Sequence, residues 1–152
     1  MAQTEVVRAP GILVTYGLGS CVGVAAWDPR TKVGGLAHVM LPDSTQSKDS
    51  SNVAKFADTA MPDLINRMER LGALRRRLVI KIAGGAQMFS LFKDDRFSIG
   101  LRNVEAVKRA LAQMDLQVAV EDTGGTYGRT LYFDTDTGEV RIRTIDHGEK
   151  TI

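Results

Sequence analysis

Apolar and polar positions in the first 41 residues follow the short, punctuated pattern of β-strands. Residues 6–18 form an apolar, partly β-branched run that ends in a glycine-rich segment, which predicts a first strand. Two more strand-like runs, 20–27 and 32–41, are separated by the four residues 28–31. Because a proline in that segment suits the second position of a type I turn, the two runs predict a hairpin, which Pro42 ends.

Two later segments carry the periodicity of amphipathic helices. The first spans residues 53–71 and meets a natural stop at Gly72, although Pro62 should kink or split it. The second has an apolar stripe over residues 104–114, and Asn103 can serve as its N-terminal cap. Each helix therefore has one face that must pack on other parts of the chain.

The remaining apolar runs are short and predict further strands at residues 78–82, 116–120, 131–133 and 140–145. Six or seven strands with two main helices predict a mixed α/β sandwich, in which β-sheets are layered and the helices pack on one side. The chain has 152 residues, 43% of them hydrophobic, so we expect a single domain with one core. We expect the ends, 1–9 and 147–152, to be loosely ordered.

Charge and cysteine content argue against several classes of protein. The 20 Lys and Arg residues nearly balance the 18 Asp and Glu residues, which is no signature of nucleic-acid or membrane binding. The run Arg75-Arg76-Arg77 follows a helix end, so we interpret it as a solvated junction. The N-terminus lacks a signal-peptide core, and no apolar stretch approaches the roughly 20 residues of a membrane span. We expect a cytoplasmic protein without direct membrane insertion, and its single cysteine fits a reducing compartment.

Cys21 and His38 are the candidate reactive pair. A thiol needs a neighbouring base to become a nucleophile at neutral pH, and His147 lies in the polar tail, which leaves His38. If Trp27 faces Lys32 across the turn, Cys21 faces His38 in the hairpin. A lone cysteine with a lone histidine is nevertheless more often core packing, and a register slip of one residue would separate the two side chains.

The residues around the cysteine suit nucleophilic catalysis. The segment Gly17-Leu18-Gly19-Ser20-Cys21 leaves the backbone free to present the N–H groups of Ser20 and Cys21 to an oxyanion. A third group should orient the imidazole, and the hydroxyl of Thr15 is the best placed along the sequence. A nucleotide-binding loop is disfavoured because no helix pattern follows the glycines, and a zinc site because too few ligands are present.

Several separated blocks of the sequence carry a family resemblance. The blocks are Thr15-Tyr16-Gly17-Leu18-Gly19-Ser20-Cys21, Ala37-His38-Val39-Met40-Leu41-Pro42, Lys55-Phe56-Ala57-Asp58-Thr59-Ala60, Lys81-Ile82-Ala83-Gly84-Gly85-Ala86, Ile99-Gly100, Arg102-Asn103-Val104 and Glu121-Asp122-Thr123-Gly124-Gly125. Together they resemble the CheD family of chemoreceptor glutamine deamidases. The similarity covers residues 11–143, and the blocks occur in the family's order.

The resemblance implies a function as well as a fold. By similarity, Cys21 is the nucleophile, His38 the general base and acid, and Thr15 the residue that orients the histidine, in a sandwich similar to that of deamidating toxins. The reaction would convert glutamine side chains of methyl-accepting chemotaxis receptors to glutamate without a metal or cofactor, with some methyl-ester hydrolysis as a further activity. The resemblance also implies binding of the phosphatase CheC, and the alternative function is a non-catalytic binding regulator of CheC.

The sequence leaves the choice of receptor and the partner-binding residues open. Met88, Phe89 and Phe92 follow the double glycine and are either exposed contacts or, as is more common for such clusters, core residues. The segments 44–52 and 93–98 look variable by comparison with the family pattern.

Overall fold

The computed structural model describes residues 1–88 and 99–152, and within them nine strands and two α-helices form three layers. One sheet, sheet A, has the strand order β1-β4-β3-β5-β6, and sheet B has the order β2-β7-β8-β9. The strands are β1 Thr4–Arg8, β2 Ile12–Leu18, β3 Val22–Asp28, β4 Val33–Val39, β5 Val79–Gly84, β6 Val118–Thr123, β7 Arg129–Asp134, β8 Val140–Arg143 and β9 Glu149–Thr151, and the helices are α1 Ala57–Arg70 and α2 Ile99–Ala112.

Sheet A is the central layer, and apolar side chains fill the space on both of its faces. On one face, Val24 and Ile82 belong to a buried cluster with residues of α1 and α2 such as Leu64 and Val107. On the other face, Ala25 and Leu36 belong to a second cluster with residues of sheet B. Since both faces are covered, the central strands β3 and β4 are buried almost throughout, as expected for doubly covered strands. The mixed α/β sandwich that the sequence predicts is confirmed.

The predicted first strand, 6–18, is two strands in different sheets. β1 pairs with β4 in sheet A, whereas β2 pairs with β7 in sheet B. Pro10 lies between them and has no N–H for a strand ladder, so the chain leaves one sheet there before it joins the other. Both chain ends, for which we expected loose ordering, supply paired strands, β1 at one end and β9 at the other.

The hairpin of β3 and β4 forms, but its turn lies one residue later than predicted. Asp28 pairs with Val33, so the predicted pairing of Trp27 with Lys32 is wrong. Two local features fix the turn at 29–32: Lys32 adopts a positive φ of 56°, and the Asp28 carboxylate accepts a hydrogen bond from the N–H of Arg30. The cross-strand register therefore moves by two residues, which keeps every side chain on its predicted face.

The first helix is shorter than predicted and continuous. Val53–Lys55 is a separate 3₁₀ turn, and α1 continues through Pro62 without interruption, so the predicted split does not occur. Burial of the apolar stripe of α1 offsets the cost of an internal proline. Gly72 ends the helix as predicted, with a φ of +93° and its N–H on the Glu69 carbonyl. Among the described residues, no helix has the length and apolar character to cross a bilayer.

The arginine run is a structural junction. Arg75–Arg77 forms a 3₁₀ turn, and the Arg77 guanidinium donates to the fully buried carboxylate of Asp28 at 2.6 Å. Burial raises the pKa of a carboxyl, yet hydrogen bonds from Arg77 and backbone N–H groups hold the pKa of Asp28 below its ordinary value. Asp28 therefore stays ionised and joins the hairpin turn to the segment before β5. Arg75 pairs with Glu69 in a more exposed position.

We predict that Asp28→Asn destabilises the fold strongly, because it leaves the Arg77 guanidinium without its counter-ion. Breaking a buried pair costs about 3–5 kcal/mol, and the change is measured by urea unfolding. Glu69→Gln breaks the exposed pair with Arg75 and is the matched control, with an expected cost of about 1 kcal/mol or less. Equal losses from both variants would contradict this account of Asp28.

Candidate active site

The candidate nucleophile lies where the chain crosses from one sheet to the other. β2 ends at Leu18 in sheet B and β3 begins at Val22 in sheet A, so the three residues 19–21 span the gap. The register of β2 against β7 shifts after Thr15, and Gly17 in this irregular stretch has a φ of +69°. A bulge at the end of β2 therefore directs the chain into the crossover.

Two backbone amides that follow β5 hold the crossover. The N–H of Ala86 donates to the carbonyl of Gly19 at 2.7 Å, and the N–H of Gly85 donates to the carbonyl of Cys21 at 2.8 Å. This approach requires glycine, since a Cβ on Gly84 would lie 2.2 Å from the Cys21 carbonyl oxygen. Gly84 and Gly85 therefore allow the backbone after β5 to pack directly against the backbone of Cys21.

Cys21 and His38 share the face of sheet A that looks toward sheet B. His38 lies opposite Gly23, not opposite Cys21, so the predicted direct pairing is wrong by two residues. Side chains alternate along a strand, which puts Cys21 on the same face as Gly23 and His38. Consistent with this placement, the half-buried Cys21 packs against the apolar cluster between the sheets.

Thr15 reaches His38 from the opposite sheet. Its Oγ1 lies 2.7 Å from His38 Nδ1, and both side chains are buried. Gly23 lies opposite His38 at this contact, and a Cβ there would lie 2.9 Å from Leu18 Cδ1, so glycine allows sheet B to pack closely here. The other ring nitrogen, His38 Nε2, is buried and has no hydrogen-bond partner among the described residues. It is thus available to a neighbouring thiol or substrate.

Burial favours the neutral forms of both reactive groups. It raises the pKa of the Cys21 thiol and lowers the pKa of His38 to about 4. At neutral pH the resting pair is therefore a thiol and a neutral imidazole. Such a pair reacts when the imidazole removes the thiol proton during attack, and no stable thiolate is needed beforehand.

The sequence did not reveal that Asn103 contacts the segment that carries Cys21. We expected it to cap a helix, but α2 begins at Ile99 and Asn103 lies inside it, fully buried. Its Nδ2 atom donates to the carbonyls of Ser20 and Met40, each at 2.9 Å. The available signal was a polar residue within the buried stripe of a helix, which is unusual for asparagine.

The other residues considered from the sequence lie outside this cluster or outside the described residues. Met88 is 45% exposed and lies against Gly19, at the rim of the crossover. Phe89, Phe92 and the segment 93–98 fall outside the described residues. The ring of His147 packs on Tyr127, with a centroid distance of 4.1 Å.

Comparisons with known proteins agree on one family. The family described as "CheD chemotactic sensory transduction" matches residues 40–144. A Moorella thermoacetica protein named "Probable chemoreceptor glutamine deamidase CheD" is 52% identical over 156 residues, which covers 100% of this chain and 92% of that protein. Proteins with the same name from Caldanaerobacter subterraneus and Desulfitobacterium hafniense are each 50% identical over 153 residues, with 100% of this chain and 94% and 95% of theirs covered.

We predict that the alkylation rate of Cys21 by iodoacetamide rises steadily up to and beyond pH 9. Burial raises the pKa of the thiol, so the thiolate fraction keeps growing across this range. Intact-mass measurement of the alkylated fraction against time gives the rate at each pH. A plateau reached below pH 7 would instead reveal a preformed thiolate–imidazolium pair and contradict the neutral resting state.

Proposed function

The chain belongs to the CheD family, and we propose that it is a chemoreceptor glutamine deamidase. It acts in the cytoplasm and hydrolyses glutamine side-chain amides of methyl-accepting chemotaxis receptors. The observation that carries the proposal is the hydrogen bond between Thr15 and His38, on the face that Cys21 shares, with Nε2 left unpaired in the part of the chain that the structure describes. Relatives about half identical over the full chain, which bear the name of this activity, support it.

In the first half of the reaction, Cys21 attacks the carbon of the glutamine side-chain amide. Nδ1–H of His38 donates to Thr15 Oγ1, so Nε2 carries the lone pair and takes the thiol proton as the S–C bond forms. The N–H groups of Ser20 and Cys21 stabilise the resulting oxyanion. The C–N bond then breaks, the proton on Nε2 passes to the leaving nitrogen, and ammonia departs.

In the second half, water hydrolyses the thioester. His38 Nε2 removes a proton from the water as its oxygen attacks the thioester carbon, and the same N–H groups stabilise the second oxyanion. The C–S bond breaks, the sulfur regains a proton from Nε2, and glutamate is released. Thiol and imidazole supply the nucleophile, base and acid, so this scheme uses neither a metal nor an organic cofactor.

Binding of CheC is a separate part of the proposal and rests on the family resemblance alone. It does not require the thiol, so Cys21→Ala should bind CheC as the wild type does. A protein that bound CheC but deamidated none of its cognate receptors would instead be a non-catalytic binding regulator.

We predict that the protein converts glutamine to glutamate in a receptor cytoplasmic fragment, and that Cys21→Ala does not. Each conversion adds about 1 Da, which intact-mass spectrometry detects after incubation, and peptide mapping locates the modified glutamines. Receptor fragment incubated alone corrects for spontaneous deamidation. Equal mass gains with wild type and Cys21→Ala would rule out the thiol mechanism.

We predict that Thr15→Val lowers kcat for deamidation about 10- to 100-fold while KM stays nearly constant, because the imidazole loses its orienting partner. Thr15→Ser retains the hydroxyl and is the matched control, with most of the activity preserved. Steady-state rates over a range of receptor concentrations separate the two parameters. If both variants kept full activity, Thr15 would have no orienting role.

A further inference from the structure

A buried amide on α2 takes no part in the scheme above, and we propose that it sets the geometry of the oxyanion hole. This residue, Asn103, acts as a positioning residue: it holds the Ser20 carbonyl so that the N–H of Cys21 points at the developing oxyanion. The inference deepens the proposed deamidase function and rests on it for the identity of the substrate.

Asn103 forms hydrogen bonds through its amide nitrogen and none through its amide oxygen among the described residues. Nδ2 donates to two backbone carbonyls, those of Ser20 and Met40, each at 2.9 Å. Because both partners are acceptors, the amide must present its NH₂ group to them. The opposite atom, Oδ1, is buried and has no hydrogen-bond partner within residues 1–88 and 99–152, which costs about 1–3 kcal/mol. The fold thus tolerates an unpaired carbonyl in an apolar stripe, which points to a requirement for the two donors.

Because of peptide geometry, the hydrogen bond from Asn103 to the Ser20 carbonyl also fixes the direction of the Cys21 N–H. In a trans peptide, the C=O of one residue and the N–H of the next point in opposite directions. When Asn103 draws the Ser20 carbonyl toward the interior, the N–H of Cys21 is directed away from α2. Cys21 packs against the apolar cluster between the two sheets, whereas α2 packs on the opposite face of sheet A. The N–H therefore lies on the side of the peptide where the sulfur reacts.

Three consecutive carbonyls are fixed in this way. Gly19 and Cys21 are held by the backbone of residues 85–86, and Ser20 between them is held by Asn103. Asn103 is the one side chain in this set of donors, so it is the donor that mutation can remove. Without it the central peptide can rotate, and the oxyanion hole loses its fixed orientation.

Asn103 is itself rigidly placed and joins the two halves of the site. A Cβ on Gly100 of the same helix would lie 2.5 Å from the carbonyl oxygens of Gly85 and Ala86, so α2 packs directly on the loop that holds the crossover. The second donor bond of Asn103 reaches Met40, two residues after His38. One amide therefore fixes the nucleophile segment relative to the end of the strand that carries the base.

Two reactions of the same thiol test this role. Acylation of Cys21 by p-nitrophenyl acetate passes through an oxyanion, as the sulfur adds to the ester carbon and p-nitrophenolate leaves. Alkylation by iodoacetamide displaces iodide at a saturated carbon and forms no oxyanion. Asn103→Leu removes both donors at similar volume, and Asn103→Ala removes them without added bulk. We expect either variant to slow acylation about 100-fold and to change alkylation less than about threefold.

The control is Thr135→Val, which removes a buried hydroxyl that donates to the Gly11 carbonyl at 2.9 Å, away from the site. It should leave both rates unchanged. Circular dichroism and thermal unfolding identify any variant that does not fold, and the conclusion is then drawn from the other Asn103 variant. Parallel losses in both reactions would mean that Asn103 only stabilises the fold, and unchanged acylation would mean that it does not set the hole.

The acylation assay is independent of the receptor. If wild type acylates readily and Asn103→Leu does not, the positioning role holds even where receptor fragments are not deamidated, and only the proposed substrate fails. If receptor deamidation proceeds and the Asn103 variants acylate and deamidate like wild type, the proposed function stands and the positioning role is overturned.

Discussion

The geometry of this protein depends on the crossover that carries the chain from sheet B to sheet A. Residues 19–21 span two layers, and their carbonyls need donors from elsewhere in the chain. Those donors come from the turn after β5 and from α2, at Ala86, Gly85 and Asn103. Since Cys21, the proposed nucleophile, sits at the end of this short segment, the hydrogen bonds that make the crossover possible also fix the position of Cys21.

The other members of the site join the same two layers. Thr15 on sheet B meets His38 on sheet A through one buried hydrogen bond of 2.7 Å, so the orientation of the imidazole depends on the packing of the sheets. A second buried contact between the sheets is the ion pair of Arg129 with Asp122, in which Arg129 lies opposite Leu18, the last residue of β2. The alignment of the proposed catalytic residues is therefore coupled to the packing of the two sheets.

Burial gives the reactive pair its chemical character. Exclusion of water disfavours both the thiolate and the imidazolium, and the two pKa shifts have this common cause. The free thiol is thus less reactive toward adventitious electrophiles than a preformed thiolate would be. In the proposed mechanism, activation then depends on a substrate that reaches the sulfur while His38 is positioned to take its proton.

The sequence by itself determined most of the elements, the layered α/β class, the candidate reactive residues and the family resemblance, because apolar periodicity, turn residues and thiol chemistry are local properties. It did not determine the hairpin register, since the Asp28 carboxylate and the positive φ of Lys32 shifted the turn by one residue. Nor did it reveal that the first predicted strand divides between two sheets. The position of Asn103 followed only from tertiary structure, because its partners lie 83 and 63 residues away and no local pattern specifies contacts over such separations.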